Sequence, residues 1–267
     1  MMNTYSMTGL AASIAKAMGA EPPTSSEASI PAVDRFVQRK LSGNAERVLL
    51  YNPDCMGHWF WQKYTPMYEG VERHVQLTVP VSTVMPAVTP VCFGTMYTGA
   101  MPAVHGIEHY EKHKIEIDSL FDAVSRSGKK AAIVAVEQSS MAVIFSGRAI
   151  DYYLLPDDAA VNEKAMELIA EDRYDLIEVY NQEYDDMIHA HTPEAPEAMA
   201  AAAHHIASFD RLAQQAERCW SGHRSLLVWA SDHGCHLDWN GHGNHGEYRE
   251  EDINVVQFFG AFDGSGK

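Results

Sequence analysis

With 267 residues, 46% of them hydrophobic and 10% aromatic, the chain has ample material for one large α/β core, which excludes intrinsic disorder. Twenty Lys and Arg stand against 36 Asp and Glu, a formal charge of −16, so the surface repels nucleic-acid polymers and anionic membranes. An anionic substrate must then be drawn in by a local positive centre, which bound divalent cations would provide.

In chain order, small and apolar residues in 1–20 (Leu10, Ala11, Ile14, Ala15, Met18) predict an amphipathic helix rather than an export signal. A loop over 21–31 leads to a second helix near 31–41. The run 47–51 reads as a short buried strand ending in Asn52-Pro53-Asp54, and residues 55–64 as a helix for which Asp54 would be the N-cap. A strand over 75–84 is followed by a Pro- and Thr-rich loop (85–90) and a helix over 92–98. Helical periodicity marks 117–127. Residues 131–136, six small or branched side chains in a row, fit a strand covered on both faces. Further strands are expected at 152–155, 174–180, 225–230 and 254–260, with helices at 162–171 and 195–218. Strands alternating with helices imply a mostly parallel sheet between helical layers, in one domain spanning 1–267 with the helical segment 1–45 packed on it. No apolar run approaches membrane-spanning length, so no membrane partner is expected. The four cysteines (Cys55, Cys92, Cys219, Cys235) are too few and too far apart for a disulfide framework, which points to the cytoplasm.

Three constellations carry chemistry. Ser231-Asp232-His233-Gly234 follows the apolar run 226–230, and Gly243-Asn244-His245-Gly246 lies just beyond, so a buried strand delivers carboxylate and imidazole to the rim of the sheet. Carboxylate oxygen with imidazole nitrogen is a zinc, manganese or iron ligand set. His242-Gly243 competes with His245-Gly246 for the last position, and His245 is preferred because it leads into the final strand. In the second constellation, Asp185 and His189 are four residues apart, which puts both on one face of a single helical turn, with His191 on the other side. The third is the segment from Thr89-Pro90 to Gly99, followed by Pro102, His105, Gly106 and Ile107. A hydroxyl just before a helix gains nucleophilicity from the positive helix end and from a metal, although a Thr before Pro is commonly plain turn chemistry.

This third segment resembles the nucleophile region of the alkaline phosphatase superfamily, in which a Thr, Ser or modified Cys stands ten residues before the Gly of a Thr-Gly-x-x-Pro-x-x-His-Gly-Ile run. Counting back from Gly99 gives Thr89. The family's Asp-x-x-x-His-x-x-x-Pro pattern is met by Asp185, His189 and Pro193, its Ser-Asp-His-Gly by Asp232 and His233, its later Gly-x-His-Gly by His245, and its N-terminal strand-end Asp by Asp54. The motifs occur in chain order between about residues 50 and 250.

The resemblance implies a three-layer α/β/α sandwich and two divalent metal ions, with zinc expected and manganese the alternative. Asp185, His189 and His245 would hold one; Asp54, Asp232 and His233 would hold the other, with Thr89 bridging to it. Thr89 would attack phosphorus and form a phospho-threonine that is then hydrolysed. The implied function is hydrolysis of phosphate esters on a small phosphorylated substrate, a diester or nucleotide-like one being favoured; whether the chain forms a homo-oligomer is left open. Phosphonate hydrolysis at the same site and a non-catalytic metal-binding scaffold are the alternatives. Cys92 stands where the phosphodiesterase branch has an Asn, and Thr89 with Phe93 does not fit the Cys-x-Pro-x-Arg setting of sulfatases.

Overall fold

A computed structural model describes residues 3–264, so the ends of the 1–267 span, including the first two positions of the helix predicted over 1–20, lie outside the described residues. The strands are β1 (Tyr5–Ser6), β2 (Arg47–Pro53), β3 (Leu77–Ser82), β4 (Ala131–Val136), β5 (Asp151–Leu155), β6 (Leu176–Asn181), β7 (Ser225–Ala230), β8 (His236–Leu237), β9 (Gly243–Asn244) and β10 (Asn254–Phe262). Eight form one sheet in the order β1-β3-β10-β7-β2-β6-β4-β5, and β8 pairs with β9 in a separate hairpin. Strand β10 runs antiparallel to both its neighbours, and every other pairing in the main sheet is parallel.

Helices cover both faces, which is why β4, β6 and β7 are buried along their whole length. Gly9–Ala17, Pro31–Lys40, Thr89–Thr98 and Leu120–Arg126 pack on one core, containing Leu10, Phe36, Phe93 and Phe121. Asp158–Glu171 and Pro196–Cys219 pack on the other, containing Leu168, Phe209 and Trp229. The result is a mixed α/β sandwich with a mostly parallel central sheet. Among the described residues no helix is long and apolar enough to cross a membrane.

Several element boundaries differ from the sequence expectation. The first helix is Gly9–Ala17. Residues 5–6 instead pair with β3, which is itself shorter than 75–84. The helix expected from residue 92 begins at Thr89, because Pro90 suits the first turn, where an N–H has no partner to lose. The helix expected over 162–171 begins at Asp158, where the Asp157 side chain accepts the Ala160 N–H. The helix expected over 55–64 is His58–Lys63, with Gly57 and not Asp54 at its N-cap.

Topology sets the position of the chemistry. Strands β6, β2 and β7 are parallel neighbours, so the segments after Asn181, Pro53 and Ala230 leave the same edge of the sheet. Strand β3 points the same way as β7, across antiparallel β10, and so brings the Thr89–Thr98 helix to that edge too. All ten residues of this helix are buried. Gly94 lets it approach its neighbour: a Cβ there would lie 2.6 Å from the His105 ring, which packs across that helix and meets Thr95 Oγ1 at 3.1 Å.

A buried histidine ties the Glu183–Ala190 helix to the core and makes the fold acid-sensitive. His205 Nε2 accepts the Tyr184 N–H at 3.1 Å, and burial pushes this imidazole down to about 3. The unfolded chain takes up a proton near pH 6.5 that the folded chain refuses, so the contribution is complete above that pH and is lost as pH falls toward 3. The loss at pH 5 is about 2 kcal/mol. Urea unfolding at pH 7.5 and pH 5 is expected to show a smaller drop in His205→Gln than in the native chain; equal drops in both would refute this.

Candidate active site

Four of the seven predicted site residues meet where β2, β7 and the Thr89–Thr98 helix converge. Asp54 and Asp232 are buried on either side of His233, with Asp54 Oδ1 3.4 Å and Asp232 Oδ2 3.3 Å from its Nε2. Thr89 Oγ1 lies 3.2 Å from the same nitrogen and 3.5 Å from Asp54 Oδ2. Backbone and side-chain bonds hold this group. The Asp54 N–H donates to Asn181 O at 2.9 Å, the Tyr180 hydroxyl donates to Asp54 Oδ2, and Asp232 Oδ1 accepts the Cys55 N–H at 3.2 Å. The Met56 N–H reaches Ser231 Oγ at 2.8 Å, which clamps the loop after β2 to the loop after β7.

The other three residues form a second group beside it. Asp185 in the first turn and His189 in the last turn of Glu183–Ala190 face each other, with Asp185 Oδ2 and His189 Nε2 3.4 Å apart. His245 Nε2 completes the group at 3.3 Å from Asp185 Oδ1 and 3.1 Å from His189 Nε2. The His233 and His245 rings stack with centroids 4.0 Å apart and join the two groups. His189 is the exposed member, with 45% of its side chain accessible, so the site opens to solvent on that side.

Electrostatics separates the two groups: around His233 burial disfavours charge, whereas against its burial the His189 and His245 side chains hold the Asp185 carboxyl well below the usual carboxylate range. Burial, reinforced by the charges of Asp232 and Asp185, pushes the Asp54 carboxyl well above the ordinary range. Burial likewise raises Asp232, to about 7. Burial and the neighbouring His245 hold the His233 imidazole well below its usual value. His245 goes the other way: against the cost of its burial, the Asp185 carboxylate raises it to about 9.

Hydrogen bonding to backbone fixes the tautomers. The His233 Nδ1–H donates to Gly234 O at 3.1 Å and the His245 Nδ1–H to Ala87 O at 2.9 Å, since a carbonyl only accepts. In neutral rings the Nε2 lone pairs of His233 and His245 then face carboxylate oxygens, and that of His245 also faces His189 Nε2. Asp54 Oδ1, Asp185 Oδ1 and Asp232 Oδ2 are buried without a hydrogen-bond partner. The donors in each group lie within 4.8 Å of one another. Ligands on a tetrahedral zinc with arms of about 2.1 Å are roughly 3.4 Å apart. The residues present therefore fit two divalent cations, one per group, with the Nδ1–H bonds of His233 and His245 orienting the rings as metal-bound histidines require.

The other histidines fall outside these groups. His242 is exposed on the β8–β9 hairpin, and the Gly243 N–H donates to His191 O at 2.8 Å, which anchors the hairpin so that His245 rather than His242 turns inward. His236 Nδ1 meets Asp252 Oδ1 at 2.7 Å, and His204 meets Glu183. Cys92 is buried with Sγ 2.9 Å from Thr83 Oγ1 and belongs to neither group. Two residues near the site escaped the sequence reading. Tyr180 is invisible there because its approach to Asp54 depends on β6 lying beside β2. Cys55 carried one available signal, its position next to Asp54.

No family model and no curated protein matches the chain by sequence. Its backbone is similar to murine ectonucleotide pyrophosphatase/phosphodiesterase 5, with a TM-score of 0.58 at 19% identity over 72% of this chain. It spans 58% of that protein's length. The human ectonucleotide pyrophosphatase/phosphodiesterase 5 aligns with a TM-score of 0.63 at 15% identity, covering 81% of this chain and 88% of that one. Phosphonoacetate hydrolase from Sinorhizobium meliloti 1021, in complex with phosphonoformate, gives 0.55 at 15% identity over 77% and 62%. The chain has the alkaline phosphatase fold. In the alkaline phosphatase fold as this chain builds it, Thr89 and the two acid–histidine groups share the carboxyl edge of the sheet, where open α/β sheets keep their ligands.

Proposed function

We propose that this protein is a metal-dependent hydrolase of phosphate esters that uses Thr89 as nucleophile and two divalent cations, zinc in the first instance and manganese as the alternative. The observation that carries this reading is Thr89 Oγ1, at the start of a buried helix and 3.2 Å from His233 Nε2. The structural neighbours support it: the murine protein is solved as an inactive variant in complex with AMP, and the bacterial one is a phosphonoacetate hydrolase. Asp54, Asp232 and His233 would hold one cation and Asp185, His189 and His245 the other. When bound, the cations supply the positive charge that lowers the pKa of the Thr89 hydroxyl and balances the transition-state oxygens.

The chain's own residues do the rest. Thr89 Oγ attacks phosphorus in line, the bond to the leaving ester oxygen breaks, and water later cleaves the phospho-threonine and restores the hydroxyl. The positive end of the Thr89–Thr98 helix faces the phosphoryl oxygens. Tyr180 keeps Asp54 oriented by donating to its Oδ2, and Ala87 O keeps the His245 ring in place. A phosphodiester or nucleotide-like molecule is the favoured substrate. The four free thiols suit a reducing compartment, and the cytoplasm is part of this reading.

Turnover of a bis-aryl phosphate diester, an aryl phosphate monoester and phosphonoacetate, measured side by side on metal-replete protein, tests the proposal. The diester is expected to turn over fastest. Phosphonoacetate as the best substrate would reassign the site to carbon–phosphorus cleavage, and no turnover of any of the three at full metal content would leave a binding scaffold.

A further inference from the structure

We infer that Cys55 gives this centre a thiolate ligand, so that Cys55, Asp185 and His233 form a third cation position for a thiophilic divalent ion between the two acid–histidine groups. This deepens the two-cation reading and rests on it. The Cys55 sulfur, one carboxylate oxygen of Asp185 and one ring nitrogen of His233 lie within 4.8 Å of one another. Asp185 belongs to one group and His233 to the other, so an ion held here would draw on both and compete with the pair. Cys55 is completely buried, and the carboxylate oxygens beside it, Asp54 Oδ1, Asp232 Oδ2 and Asp185 Oδ1, have no hydrogen-bond partner.

The backbone puts the sulfur there. Cys55 has φ +67°, a left-handed conformation that a side chain seldom adopts. That turn aims the Cys55 N–H at Asp232 Oδ1 and the next N–H at Ser231 Oγ. The chemistry of the set follows: Cys, Asp and His together suit zinc, cobalt or cadmium, whereas magnesium and manganese prefer oxygen donors alone. Cys219, the partly exposed thiol that ends the Pro196–Cys219 helix, is in none of the ligand groups and is the internal control, whereas Cys235 meets Cys55 itself.

Cobalt(II) titration of the full chain reads this directly, because a cobalt-bound thiolate gives a near-ultraviolet charge-transfer band and bound cobalt gives visible d–d bands. The native chain and Cys219→Ser are expected to show both. Cys55→Ser and Cys55→Gly are expected to lose the charge-transfer band and keep the visible bands; glycine also relieves the left-handed turn, so it guards against a folding failure of the serine variant. Visible bands without the charge-transfer band in the native chain, or a band that survives in Cys55→Gly, would overturn the Cys55 assignment alone. Absence of any cobalt binding would instead overturn the two-cation reading, and this inference with it.

Discussion

Thr89→Ala is expected to lower kcat on a phosphodiester by at least about a thousandfold, because it removes the oxygen that the proposed mechanism uses as nucleophile. Thr89 Oγ1 sits 3.2 Å from His233 Nε2 and 3.5 Å from Asp54 Oδ2, and the methyl of alanine fills neither contact. Thr89→Ser keeps a hydroxyl at the same helix end and is expected to stay within about tenfold of the native rate, the loss reflecting a looser rotamer. Both variants are expected to bind metal as the native chain does, since the three carboxylates (Asp54, Asp185, Asp232) and three imidazoles (His189, His233, His245) of the two groups remain. Steady-state kinetics with elemental analysis on the same preparations decides the matter. An alanine variant that keeps more than a tenth of native turnover would remove Thr89 from the chemistry.

Stripping divalent cations is expected to abolish turnover and to lower Tm by at least about 8–16 °C, the share of a single site. That range follows from free metal held about a thousandfold above Kd, worth about 4 kcal/mol for one site, at roughly 2–4 °C per kcal/mol for a chain of this length. The physical cause is the pair of buried carboxylates around His233. With no cation, burial disfavours the charged forms of Asp54 and Asp232 and pushes both carboxyls up, Asp232 to about 7. Asp185→Ala is expected to cost one metal equivalent and at least about a hundredfold in kcat, because Asp185 touches both His189 and His245. Calorimetry before and after chelation, with readdition of zinc or manganese, is the measurement. An unchanged Tm and rate in protein shown to be metal-free would defeat the two-cation reading.

Parts of this site are written in short stretches of chain, and those parts were legible. Asp232 and His233 follow an unbroken apolar run, and such a run, buried on both faces, has few alternatives to a central strand. Asp185 and His189 are four apart, and one helical turn brings them together whatever surrounds it. Thr89 was legible only through its spacing from Gly99. The choice between His242 and His245 belonged to the hairpin: the Gly243 N–H bonded to His191 O decides which ring turns inward.

By itself, then, the sequence determined the α/β class, the strands at 131–136 and 225–230 and the local halves of each group, because these depend on burial and on contacts within a few residues. Tertiary structure alone decided that β6, β2 and β7 are neighbours, that β10 runs antiparallel, and that Tyr180 donates to Asp54. It also decided that Asp54 lies against His233 rather than capping a helix, and that Cys55 turns left-handed beside it. Strand order and loop handedness are settled by which elements pack together across long sequence separations. Residue pattern along the chain carries no record of that packing.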